Sequence, residues 1–238
     1  MRGLFEFLDS QEVPVLLAID EFQQISDYPE QNMEALLRTY IQQMHHLTFI
    51  FCGSKKHLMA DIFTNEKKPF YASTTFVSLA KINEEAYSVF IRRLFEDRRR
   101  SITDDALQFI LTWTRRHTYY TQQLCHTIYA NGNPMIDLEE VKQACKQLMM
   151  QGEAVYLQYR QMLTDKQWDF LIAVAKEGSI QQITSSAFLK RHRIGTPSVS
   201  RRLADALCEK GLLNDDNTLE GTVYSVSDVF LSHWMERL

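Results

Sequence analysis

Val15-Leu16-Leu17-Ala18-Ile19-Asp20-Glu21 is the stretch on which the reading of this chain turns. The apolar run from Val13 to Ile19 has no polar alternation, as a strand buried on both faces requires. It ends in two adjacent carboxylates. At the carboxyl end of a parallel strand, such groups face the crevice where ligands bind. There an Asp can hold Mg²⁺ through its water shell, and a Glu can polarise an attacking water. Without context, the same residues describe a strand that stops in an acidic turn.

The flanking sequence supplies context. Residues 28–46 place Met33, Leu36, Leu37, Tyr40, Ile41 and Met44 at helical spacing. Leu47–Cys52 reads as a second buried strand, closed by Gly53-Ser54. Lys56–Phe63 reads as a short helix and Thr74–Leu79 as a third strand. Strand, helix, strand, helix, strand is the grammar of a parallel α/β sheet. The expected fold class is therefore α/β followed by all-α, in three zones: a partial core over residues 1–80, a helical layer over 81–162 and a winged helix-turn-helix over 163–238.

In the second zone, Asn83 reads as an N-cap, with Glu84 and Glu85 suited to the helix dipole. Ala86, Phe90, Ile91 and Leu94 give the following helix one apolar face. A second helix follows Thr103, a third runs Tyr119 to Ala130, and a fourth begins near Asp137. In the third zone, helices are expected over Thr164–Glu177, Ser185–His192 and Ser198–Lys210. A strand at Leu212-Leu213, a turn over Asn214–Asn217 and a strand over Val223–Val226 complete the wing.

A hydrophobic run ending in Asp-Glu is the Walker B arrangement of ATPases that use a catalytic glutamate, and Ser54 stands where a polar sensor of phosphate or water would. Four blocks occur in order: Asp20-Glu21-Phe22-Gln23, Phe49-Ile-Phe-Cys-Gly-Ser54, Lys68-Pro-Phe-Tyr71 and His117-Thr-Tyr-Tyr-Thr-Gln-Gln-Leu-Cys125. Together they resemble the archaeal-type ATPase family, an AAA+/STAND-like group. The resemblance covers nearly the whole chain. It implies an ATP-binding core, a helical lid and a C-terminal winged helix. Asp20 would organise Mg²⁺ and Glu21 would act as general base.

The chain departs from that pattern in three places. No glycine is followed by lysine, so the phosphate-cradling P-loop, G-x-x-x-x-G-K-[ST], is not in this sequence. Many relatives carry Tyr-Gly-Arg where this chain has Tyr71-Ala72-Ser73. Relatives often read Gly-His-Pro where this chain has Arg116-His117-Thr118; Arg115 or Arg116 would approach a phosphate from the lid, or else sit solvated. The chain reads as a family member without its N-terminal third, and as one that does not hydrolyse ATP alone. Either the 74–79 strand closes onto Leu47–Cys52, or the missing half is supplied in cis or in trans.

Between Thr184 and Leu212 stand Lys190, Arg191, Arg193, Arg201, Arg202 and Lys210, against only Asp205 and Glu209, in a chain of net charge −4. Ser198, Ser200, Arg201 and Arg202 at the start of the recognition helix suit phosphate and base-edge contacts with duplex DNA. Packing against a protein is the alternative. The net charge excludes a bulk nucleic-acid binder.

The chain has 238 residues, 45% hydrophobic and 24% charged, with 8 Gly and 5 Pro. That excludes disordered and collagen-like classes. The four cysteines lie far apart, so neither zinc nor a disulfide framework is indicated; they read as buried free thiols. The apolar runs are too short to span a bilayer, and no signal-peptide pattern opens the chain. These features read as cytoplasmic.

Overall fold

Arg2–Asp9 forms helix α1, Val15–Ile19 strand β1, Phe22–Asp27 a 3-10 turn, Met33–Ile41 helix α2, Leu47–Phe51 strand β2 and Lys56–Thr64 helix α3. The computed structural model describes residues 2–28, 32–77, 79–218 and 221–238. The chain divides into two compact units, Met1–Leu79 and Ala80–Leu238.

In the first unit β1 and β2 pair in parallel, Val15 opposite Leu47 through Ile19 opposite Phe51. Alternate residues of both strands, among them Leu17, Ile19, Phe49 and Phe51, pack onto a cluster of Phe5, Phe22, Leu37, Ile62, Phe63 and Phe70. The expected burial on both faces is met on one face only. Leu16 is 62% exposed and Ile50 43%, because the described helices of this unit cover a single side.

The third strand expected over Thr74–Leu79 is not formed. Residues 74–77 and 79 take no strand pairing, and Ser78 lies outside the described residues. Val77 and Leu79 stand exposed, while Phe76 meets the edge of the Phe63 ring at 5.9 Å. A strand exists only through a partner's hydrogen-bond ladder, and β2 offers its ladder to β1 alone. Closure of this segment onto β2 does not occur. Just before it, Ala72 adopts φ 50°, where a β-carbon is strained. This is the position at which the family pattern has glycine.

The second unit contains Glu84–Glu96 (α4), Ser101–Ile102 (β3), Asp104–Trp113 (α5), Thr118–Ala130 (α6), Met135–Ile136 (β4) and Leu138–Met162 (α7). It continues through Asp165–Glu177 (α8), Ser186–Arg191 (α9), Pro197–Glu209 (α10), Leu213–Thr218 (β5), Gly221–Val226 (β6) and Val229–Met235 (α11). Side-chain caps start these helices except α5 and α6, where Thr103, expected as a cap, and His117 make no capping bond. Asn83 accepts from the Ala86 amide at 3.1 Å, and Asp137 from the Glu140 amide at 2.9 Å. Thr164 and Gln167 close a reciprocal capping box. Thr196 caps α10, whose first turn carries Pro197. One continuous core runs from Tyr87 to Met235. A two-residue parallel pair, β3 with β4, ties the helical layer together.

Two expectations are corrected here, and one helix is added. Helix α4 buries Tyr87, Ile91 and Phe95 and exposes Phe90 and Leu94. Both sets have four-residue spacing, and packing selects the larger aromatic pair. The residues expected as a turn, Asn214–Asn217, lie within β5, paired to Thr222–Ser225. Helix α11 was not anticipated; the Asp228 carboxylate accepts from the Phe230 and Leu231 amides and starts it.

The thiols differ from the uniform burial expected. Cys52 is exposed, at the end of β2, where the chain leaves the sheet. Burial pushes the Cys125 and Cys145 thiols up to about 12 and Cys208 to about 11, so these three stay protonated. No described helix is long and apolar enough to cross a membrane.

Candidate functional site

Both strands of the first unit end at the same edge, and the hydrogen-bond ladder continues one step past them. The Cys52 amide donates to the Ile19 carbonyl at 2.8 Å, and the Phe22 amide donates to the Cys52 carbonyl at 2.9 Å. This fastening sets the residues after β1 beside those after β2. Asp20 is exposed, and its Oδ1 accepts from the Glu21 amide at 2.9 Å. Glu21 takes the left-handed conformation, φ 50° and ψ 39°, which turns its half-buried side chain toward β2. There the Ser54 hydroxyl donates to Glu21 Oε2 at 3.2 Å. The structure thus brings Glu21 and Ser54, expected to share a site, into contact across 33 residues of sequence.

Sequence reasoning missed the third member. Gln23 Nε2 also donates to Glu21 Oε2, and the Gln23 side chain is buried. Its signal was one of two adjacent amides, Gln23 and Gln24, between Phe22 and Ile25, both of which pack inward.

The lid arginines are engaged elsewhere in the second unit. Arg115 and Arg116 are both left-handed, at the junction of α5 and α6. The Arg115 guanidinium donates to Ser232 Oγ at 2.8 Å and lies 3.8 Å from Glu236, so α11 holds it. Burial lowers the Arg115 pKa, partly offset by Glu236. Arg116 lies 3.7 Å from Glu84. Burial, together with the repulsion of these two arginines, also lowers Lys81.

In the winged helix, Lys190, Arg191, Arg193, Ser198, Arg201 and Arg202 are exposed. Arg191 donates to Glu177 at 2.6 Å; His192 and then Arg191 hold that carboxyl below its usual range. Ser200 is the exception and corrects the expected DNA-facing set. It is fully buried, and its hydroxyl donates to the Ile183 carbonyl at 2.6 Å. It shares the inward face of α10 with Ala204 and Leu207.

A family model described as a probable winged helix domain matches residues 154–237. No curated protein matches the chain. The Walker-type ATPase of Pyrococcus abyssi superposes over 100% of the chain, with a TM-score of 0.66 and 17% identity. The chain spans 66% of that protein's length, just under two thirds. The ORC2 protein of Aeropyrum pernix, solved as ADPNP–ADP complexes, matches 99% of this chain and 67% of its own, with a TM-score of 0.54 and 13% identity. A single-residue variant of Thermotoga maritima RuvB matches 100% of this chain and 75% of its own, with a TM-score of 0.51 and 16% identity. The resemblance to archaeal-type ATPases holds at the level of fold: the chain has a partial AAA+-like α/β core and a helical lid, and ends in a winged helix.

Proposed function

We propose that the chain supplies the water-activating edge, the lid and the winged helix of an ATP-driven regulatory switch in the cytoplasm. The phosphate-cradling loop comes from residues outside these 238, in cis or in trans. The observation that carries this reading is the Glu21 carboxylate held at the carboxyl ends of two parallel strands by Ser54 and Gln23.

The residues present fit the metal better than the nucleotide. The Asp20 and Glu21 carboxylates and the Ser54 hydroxyl form an all-oxygen donor set, which suits Mg²⁺. A phosphate chain needs converging backbone amides, and none of the 8 glycines is followed by lysine. Mg²⁺ would be held by Asp20 through water and would neutralise phosphate charge. Glu21 orients the attacking water and accepts its proton at a carboxylate oxygen. Ser54 and Gln23 keep that carboxylate from rotating away.

Calorimetric titration with Mg²⁺-ATP tests this. The expected result is no saturable heat from the chain alone and micromolar binding once the polypeptide encoded immediately upstream is joined to it. Micromolar binding by the chain alone would overturn the external origin of the loop. No binding by the joined protein would leave the first unit as a scaffold.

A second reading, binding of duplex DNA by the winged helix, is favoured by the exposed Lys190, Arg193, Arg201 and Arg202. Mobility-shift titrations across a salt series should show affinity falling steeply with salt. Arg201→Ala and Arg202→Ala should each reduce the salt slope by about 1. Affinity unchanged between low and physiological salt would favour a protein partner.

A further inference from the structure

We propose that Gln23 is the positioning residue of Glu21, and that residue 53 is glycine to make room for it. The proposal rests on the reading of Glu21 given above. Gln23 lies 3% exposed beside the inward-facing Phe22 and Ile25. Its Nε2 and the Ser54 hydroxyl donate to the same oxygen, Glu21 Oε2. Two donors on one oxygen fix the rotation of the carboxylate and turn its other oxygen toward whatever occupies the strand ends. The carboxylate, which only accepts, in turn dictates which way the Gln23 amide faces.

The other end of that amide explains the glycine. Gln23 Oε1 is buried and has no hydrogen-bond partner among the described residues. An unpaired buried acceptor is a cost to folding, so the amide is retained for what its nitrogen holds. A β-carbon at Gly53 would overlap Gln23 Oε1 and come within 2.6 Å of the Met59 sulfur. Gly53 has no positive φ that would demand glycine. Its lack of a side chain therefore serves the space occupied by Gln23 and Met59. The neighbour Ser54 then reaches Glu21 from the same loop, so residues 53 and 54 act on one carboxylate by two routes, one by making space and one by donating.

Two variants separate positioning from mere packing. Gln23→Met keeps length and shape but has no donor. Gly53→Ala never touches Glu21 and displaces Gln23. In the upstream-extended protein, each is expected to lower kcat by roughly 10- to 100-fold with KM for Mg²⁺-ATP unchanged. The double variant should be no worse than either single one. Gln23→Met should leave the thermal midpoint unchanged, because it removes an unpaired oxygen along with one hydrogen bond. In the chain alone, a Gln23 side-chain amide proton should resonate downfield of free amides by NMR and return to the free range in Glu21→Ala and in Gly53→Ala. A wild-type extended protein without ATPase activity would overturn the functional reading, and the NMR arm would then decide the role of Gln23 alone. An amide at the free position in wild type, or additive kinetic losses, would overturn the positioning role.

Discussion

Replacing Phe70 with alanine is expected to unfold the first unit and leave the second folded. Phe70 is 1% exposed, and its ring meets Phe22, Phe51 and Phe63 at centroid distances of 5.4, 5.7 and 5.6 Å. Truncating a phenylalanine in such a cluster costs about 3–5 kcal/mol. A core of this size rarely supplies more than about 3–5 kcal/mol in total, and here the described residues of the unit cover one sheet face only. The loss is therefore comparable to everything the unit has. The second unit has a separate and larger core, and Trp113, Trp168 and Trp234, the chain's 3 tryptophans, all lie in it. Tryptophan fluorescence should report an unchanged melt in Phe70→Ala while amides of β1 and β2 lose their exchange protection. A single transition carrying both units together would refute their independence.

The second large effect concerns chemistry. In the upstream-extended protein, Glu21→Gln is expected to cut steady-state phosphate release by about 10²- to 10⁴-fold, the usual worth of a positioned general base. The amide oxygen can still accept from Ser54 and Gln23, so the local fold and Mg²⁺-ATP affinity should survive. Asp20→Asn should instead weaken the dependence on Mg²⁺. A Glu21→Gln protein that turns over at the wild-type rate would remove Glu21 from catalysis and favour the scaffold reading.

The parts of this molecule that were legible in sequence are those decided within a few residues. Asn83 caps its helix as expected, because a short polar side chain reaches an amide three positions on, whereas Thr103, read as a cap, makes no capping bond and Thr196, read as part of a turn, makes one. The β1 strand and its two carboxylates were readable for the same local reason. Thr74–Leu79 has strand composition and forms no strand, since its fate depends on a partner that composition does not supply. Helix α4 offered two stripes with the same spacing, and only the tertiary fit of Tyr87, Ile91 and Phe95 chooses between them. Ser200 was misplaced through attention to its position near a helix start. Its alignment with Ala204 and Leu207 marks the buried face. Gln23 stood in the Asp20-Glu21-Phe22-Gln23 block without a role of its own, because a buried amide acts through its neighbour.

The fastening of α11 bears on motion. Arg115 holds Ser232, and His233 Nε2 meets the Trp113 carbonyl at 2.9 Å with its ring stacked on that indole at 4.5 Å. Tyr120 packs on Phe230 at 4.9 Å. The 25 residues of α7 run unbroken from the lid into the winged-helix region, a rod of about 37 Å. Helix α11 therefore cannot leave the junction of α5 and α6 without breaking these joints at once. Lid and winged helix thus share one continuous core, and α11 is the strap that fastens the end of one to the α5–α6 junction of the other.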